Sequence, residues 1–153
     1  MEECATNYSG RIHDDLKVKI TTDHKGLKIA HLNVRGIIGK INEVRLLLLD
    51  SRLDVLAITE THLRGDINSS EISVDGYKIA RLDRTYKSGG GCVIFFSNNL
   101  CCYERPDLLS AIEAVWIDIT CDSQKHLVGC IYRLFQTTLI FTKPSTACWR
   151  AFG

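Results

Sequence analysis

The stretch LDVLAITETHL, residues 53–63, decides the fold of this chain. Its apolar run at 55–59 lies between Asp54 and Glu60, a pattern typical of a buried strand in a parallel sheet. Open α/β sheets gather ligands and catalytic groups at the carboxyl ends of their strands. Glu60 stands at such an end, so it is either a solvated charge or a functional carboxylate.

The segment before this strand predicts a βαβ unit. Residues 27–34 form an apolar strand candidate, in which His31 is interpreted as a hydrogen-bonded core residue. Apolar residues then recur at helical spacing, with three further leucines expected to broaden the same face. The positions are Ile37, Ile41, Val44 and Leu48, broadened by Leu46, Leu47 and Leu49. Because the two strands of such a unit are parallel, Asn33 and Glu60 are expected to meet at one edge of the sheet.

The downstream half reads as strands joined by short turns. Strand patterns cover 77–82, 91–96, 114–120 and 126–132, the last two joined by a turn at 121–125. The glycine run at 89–91 lacks the Lys-Ser/Thr of a P-loop and is interpreted as a hairpin turn. The predicted fold class is therefore α/β, more fully an α+β mixed sheet. With one helix, one face of that sheet is expected to lack cover.

Bulk properties place the chain among single-domain proteins. It has 153 residues and a net charge of +1, so polyanion binding requires a local basic patch. No apolar stretch has membrane-spanning length, and the polar, acidic N-terminus is not a secretory signal. The seven cysteines show no C-x-x-C spacing, which indicates reduced thiols in an intracellular protein. Residues 1–26 are predicted to be a flexible leader, with order beginning near Leu27.

Several motifs occur in a familiar order: LNVRG at 32–36, the stretch at 54–63, RLDR at 81–84, GGG at 89–91 and GCIYR at 129–133. In this order they resemble the N-terminal half of an endonuclease/exonuclease/phosphatase domain, as found in the abasic-endonuclease-like domain of non-LTR (LINE-type) retrotransposon proteins. The resemblance covers 27–133 and implies a truncated half of a four-layer α/β sandwich. Residues 134–153 are then a divergent tail, although 134–141 also permit an edge strand.

The resemblance also implies roles for individual residues. Glu60 and Asn33 match residues that bind Mg²⁺ (or Mn²⁺) and orient the scissile phosphate. Tyr132 matches a tyrosine that contacts the phosphate, which makes Asn33, Glu60 and Tyr132 the candidate catalytic residues. The cations expected to contact DNA are Arg35, Arg81, Arg84 and Lys87. The implied partner is DNA, and a full-length relative would act in the nucleus.

The chain departs from the family where the second half of the catalytic machinery is expected. No Ser-Asp-His occurs, and the letters Gly-Asp-x-Asn occur only at 65–68, before the tyrosine strand instead of after it. The predicted function is metal-dependent hydrolysis of DNA phosphodiesters, impaired or lost in this chain alone. The missing C-terminal half, or a reverse transcriptase region of a full-length relative, is a further candidate partner. One alternative is a non-catalytic remnant or weak nucleic-acid-binding α/β domain. Another, outside the family, is a small α/β domain in which Asn33 and Glu60 only cap the ends of their strands.

Overall fold

A computed structural model describes residues 8–11, 26–85, 89–108, 112–133 and 136–142, and within them the chain forms two β-sheets and one α-helix. The elements are β1 (Tyr8–Arg11), β2 (Ile29–Asn33), α1 (Ile41–Ser51), β3 (Val55–Thr59), β4 (Tyr77–Leu82), β5 (Cys92–Ser97), β6 (Cys101–Glu104), β7 (Glu113–Cys121), β8 (Gln124–Arg133) and β9 (Gln136–Thr142). Short 3₁₀ turns cover Ile38–Lys40, Ser69–Ile72 and Pro106–Leu108. The predicted mixed α/β class is confirmed.

The βαβ unit has the predicted form. Strands β2 and β3 are parallel neighbours, with Asn33 paired to Thr59 at the end of the ladder. Every residue of β3 is buried, as expected for a strand covered on both faces. Helix α1 ends at Ser51, and Arg52 takes the left-handed conformation that commonly closes a helix.

Only part of the predicted apolar helix face is buried. Val44, Leu47 and Leu48 pack into the core, whereas Leu46 is 60% exposed and Leu49 54% exposed. The prediction that Leu46 and Leu49 broaden the buried face of the helix was wrong. Each helical residue turns by about 100°, so positions that lie between core positions in sequence face solvent.

The strands divide into two sheets, and not into the single mixed sheet that the residue pattern predicts. The first has the order β1-β2-β3-β5-β4 and the second the order β6-β7-β8-β9. One face of the first sheet packs on α1, and its other face packs on the second sheet around side chains such as Ala57, Ile94, Ile117 and Cys130. The face expected to lack cover is therefore covered by the second half of the same chain.

Two segments differ from the expected domain limits. Within the expected leader, Tyr8–Arg11 forms β1, which pairs in parallel with β2, so order does not begin near Leu27. At the other end, Gln136–Thr142 pairs antiparallel with β8, which confirms the edge-strand alternative for these residues. Residues 1–7 and 12–25 of the expected leader, and the residues after 142, lie outside the described residues.

Strand β6 was not predicted, because its short, exposed sequence has no clear alternation. None of the five cysteines in the described ranges forms a disulfide bond. In those same ranges no helix is both long enough and apolar enough to cross a membrane.

Candidate active site

Asn33 and Glu60 meet at the carboxyl edge of the parallel strands, as the βαβ unit predicts. Asn33 is the last residue of β2, and Glu60 directly follows β3. The Asn33 amide Nδ2 donates a 2.9 Å hydrogen bond to Glu60 Oε1. Both side chains are only partly exposed, so this contact is partly shielded from solvent.

Only the NH₂ group of the Asn33 side-chain amide has a hydrogen-bond partner among the described residues. Because a carboxylate accepts hydrogen bonds, the NH₂ group must face Glu60, which directs Oδ1 away from it. Asn33 Oδ1 is buried and accepts no hydrogen bond from the part of the chain that the structure describes. Buried polar atoms are rarely left unpaired, so this oxygen is suited to an added ligand.

These donors fit a magnesium ion in type. Mg²⁺ prefers oxygen ligands and usually retains several waters, needing only one or two carboxylates from the protein. Among the described residues no three His, Cys, Asp or Glu side chains gather to hold a metal ion. Glu60 and Asn33 therefore match in donor type the few protein ligands of a partly hydrated magnesium ion, and do not match a closed structural metal site.

The backbone at this edge is strained. Arg35, Glu60 and His62 have φ values of 47°, 56° and 54°, which non-glycine residues adopt at some energetic cost. The other described non-glycine residues with positive φ close helix α1 or form the β7–β8 turn, where such values are common. Strain that ordinary secondary structure does not explain concentrates at functional sites.

Hydrogen bonds between backbones hold the strained segments together. Gly36 N donates to Glu60 O at 2.7 Å, and Ile37 N donates to Thr61 O at 2.9 Å. From the other side, His62 N donates to Gly90 O at 3.0 Å. The segments at 34–37 and 60–62 are thus fixed before any ligand arrives.

Tyr132 reaches the same edge from the second sheet. Along β8, Val128 and Cys130 point between the sheets, and Tyr132 continues this alternation. Burial, and next the charge of Glu60, raises the pKa of the Tyr132 phenol above its ordinary value. The phenol therefore stays protonated near neutral pH and can donate a hydrogen bond.

The structure also brings to this edge Glu113, which the sequence pattern did not indicate. Glu113 begins β7 directly opposite Tyr132 in the antiparallel ladder. Its carboxylate accepts hydrogen bonds from Arg84 Nε and, at 3.2 Å, from Gly91 N. The available signal was its position at the start of a strand that pairs with the tyrosine strand.

The predicted DNA-contacting cations have different surroundings. Arg35 has a side chain 62% exposed, 3.9 Å from Glu60 Oε2. The Arg81 guanidinium is bound by Asp83 and by the Arg64 carbonyl, and the Arg84 guanidinium by Glu113. Lys87 lies outside the described residues.

Two other candidates take structural roles. His31 is buried between the sheets with Nε2 3.2 Å from Thr59 Oγ1, and burial lowers its pKa to about 4. This confirms its interpretation as a core histidine. The Gly-Asp-x-Asn letters at 65–68 fall in a surface loop, where Asn68 caps the 3₁₀ turn Ser69–Ile72 through Ser70 N at 3.0 Å.

Comparison with known proteins finds similar structures but no similar characterised sequence. No model of a known protein family matches the sequence, and no curated protein sequence matches it significantly. The chain is similar in structure to an AP endonuclease, LMAP, from Leishmania major, with 22% identity and a TM-score of 0.56 over 71% of this chain and 42% of that one. It is also similar to the endonuclease domain of TRAS1, a telomere-specific non-LTR retrotransposon, with 13% identity and a TM-score of 0.52 over 69% of this chain and 45% of that one.

The region that matches this chain covers less than half of the length of either structure. At these identities the likeness concerns the fold. Over about 70% of its length, the chain has the fold of these two endonuclease structures.

Proposed function

We propose that this chain forms part of a metal-dependent endonuclease site that hydrolyses DNA phosphodiester bonds. The observation that carries the proposal is Asn33 Oδ1, a buried oxygen that accepts no hydrogen bond from the described residues, on an amide whose NH₂ group is bonded to the Glu60 carboxylate. Glu60 stands on strained, hydrogen-bonded backbone, and with Asn33 it offers oxygen donors of the kind that Mg²⁺ or Mn²⁺ prefers.

Each residue at this edge has a task that its surroundings support. Asn33 and Glu60 would hold the metal ion, which when bound neutralises charge on the phosphate. Tyr132 keeps its proton and donates it in a hydrogen bond to a phosphate oxygen. Arg35, with its largely exposed side chain, contributes a positive charge for the DNA backbone.

In the same proposal, the chain by itself binds metal and phosphate without cutting. Activation of the attacking water requires a positioned acid–base group. The only Gly-Asp-x-Asn letters lie in a surface loop, where Asn68 is committed to capping. We assign the missing groups to a C-terminal half of the domain, which the greater length of the similar structures supports.

The finer assignment, to a non-LTR retrotransposon protein, belongs to the same proposal. It is supported by the ordered motifs from 32 to 133 and by the fold likeness to the TRAS1 endonuclease domain. A full-length relative would then act on DNA in the nucleus, with its reverse transcriptase region as a further partner.

The metal site is tested by Mn²⁺ titration followed by electron paramagnetic resonance. We expect Glu60→Gln to weaken Mn²⁺ binding at least about tenfold, which corresponds to about 1.4 kcal/mol. Glu43→Gln is the matched control, because Glu43 is an exposed glutamate on α1. Equal affinity in Glu60→Gln and in the parent chain would refute the metal site.

The catalytic part is tested by nicking of supercoiled plasmid with Mg²⁺. We expect no nicking that depends on Glu60 when the chain is compared with its Glu60→Ala variant. Nicking that disappears in Glu60→Ala would show that the chain alone is active and would overturn the assignment of the missing groups. DNA binding without nicking would support the proposal that this chain by itself binds its substrate but does not cut it.

A further inference from the structure

The Glu113 carboxylate sits where the two sheets meet beside the candidate site. It accepts hydrogen bonds from Arg84 Nε through one oxygen and from Gly91 N through the other, the second at 3.2 Å. Its side chain is 22% exposed and that of Arg84 is 20% exposed. An ion pair with this little exposure and two hydrogen bonds on the carboxylate is more restrained than a surface salt bridge.

Arg84 connects this carboxylate to Tyr132. Its Cζ atom lies 5.5 Å from the centre of the Tyr132 ring, within the range of a cation–π contact. Arg84 comes from the β4–β5 connection of the first sheet, whereas Glu113 and Tyr132 belong to β7 and β8 of the second. The three side chains therefore join the two sheets at the edge that carries Glu60.

The glycine run makes room for this arrangement. A Cβ atom on Gly90 would lie 2.7 Å from Glu113 Oε2 and 3.0 Å from Arg84 Cζ. At Gly89, where φ is also positive, a Cβ atom would meet only the His62 ring, at an ordinary 3.7 Å. The need for glycine at position 90 therefore arises from the pair as well as from the backbone.

We infer that Glu113 and Arg84 form a positioning pair for Tyr132, in which the carboxylate fixes the guanidinium and the guanidinium holds the phenol ring. The inference rests on the proposed function, because it explains how the phosphate-contacting tyrosine is kept in place. Arg84 is thereby a positioning residue that acts through Tyr132, and not one of several solvated cations on a loop. A planar guanidinium can hydrogen-bond through its edge while its face packs on a ring, which the lysine ammonium cannot do.

The first test compares Gly90→Ala with Gly89→Ala by NMR, without metal or DNA. The measurement is the set of nuclear Overhauser effects between the Arg84 side chain and the Tyr132 ring, assigned with Tyr132→Phe and Arg84→Lys. Both alanine variants impose a similar backbone strain, but only the one at position 90 crowds the pair. We expect these effects to lose most of their intensity in Gly90→Ala and to persist in Gly89→Ala.

The second test removes the charge of Glu113 without adding bulk. Glu113→Gln should weaken the same Arg84–Tyr132 effects, whereas Asp83→Asn, which removes the partner of the neighbouring Arg81, should leave them unchanged. If Gly90→Ala does not fold, Glu113→Gln still tests whether the carboxylate positions Arg84 against Tyr132. Unchanged effects in folded Glu113→Gln would overturn the inference.

These spectra report on the free protein, so the two proposals can fail separately. Loss of the Arg84–Tyr132 contact together with absent Mn²⁺ binding would support the pair and refute the metal site. Intact Mn²⁺ binding, together with an Arg84–Tyr132 contact that survives in Glu113→Gln, would support the metal site and refute the positioning pair.

Discussion

Acidification should destabilise the fold through His31. The side chain is 6% exposed, and burial lowers its pKa from 6.5 to about 4. Between these values the unfolded chain binds a proton that the folded chain does not, so the free energy of unfolding decreases as the pH falls. A difference of about 2.5 pKa units between the unfolded and the folded chain, at about 1.4 kcal/mol for each unit, corresponds to about 3 kcal/mol in the free energy of unfolding.

The assay is urea unfolding of the parent chain and of His31→Gln at several values between pH 7 and pH 4. Glutamine can still hydrogen-bond to the Thr59 hydroxyl but does not titrate in this range. All other ionisable groups are the same in the two proteins, so their contributions cancel in the difference. We expect the parent chain to lose about 3 kcal/mol more than the variant between these two limits.

His62→Gln is the matched control, because it makes the same substitution at a histidine that is exposed in the folded chain. Its unfolding free energy should follow that of the parent chain across the pH range. Parallel curves for the parent chain and His31→Gln would refute the reasoning, since burial would then not suppress protonation of His31.

Three further predictions concern stability. Gly129→Ala places a Cβ atom 2.3 Å from the Trp116 ring, so it should lower the free energy of unfolding by about 1–3 kcal/mol in urea titrations, and an unchanged midpoint would contradict this packing. Arg52→Gly relieves the left-handed backbone after α1 and should raise the free energy of unfolding by up to about 1 kcal/mol, a gain that Arg52→Ala should not reproduce. Asn68→Ala removes the capping box before Ser69–Ile72 and should cost about 1 kcal/mol in thermal unfolding, with Asn68→Asp retaining most of the stability.

The local elements follow from the sequence because their periodicities are simple. Strand β3, helix α1 and the hairpin partners β7 and β8 lie where the apolar patterns predict them. These features depend on neighbours close in sequence, so a single chain contains the information.

The division into two sheets does not follow from those patterns. A strand buried against a helix on one face and a second sheet on the other has the same apolar run as any central strand. Ile94 of the first sheet and Ile117 of the second belong to the same core between the sheets although they are far apart in sequence. The local periodicity of a strand gives no information about such long-range packing. The exposure of Leu46 likewise depends on which helix face the sheet occupies.

The meeting of Asn33 and Glu60 was determined by the sequence itself, because a βαβ unit brings the ends of its parallel strands to one edge. The place of Glu113 beside Tyr132 was decided only by the tertiary structure. Their pairing depends on a tight turn at Asp122 and Ser123, and a shift of one residue in that register would move Glu113 to the opposite face of the sheet. The sequence pattern predicts a longer turn at 121–125, which leaves the register open, so only the folded chain fixed the two-residue turn that brings the second carboxylate to the site.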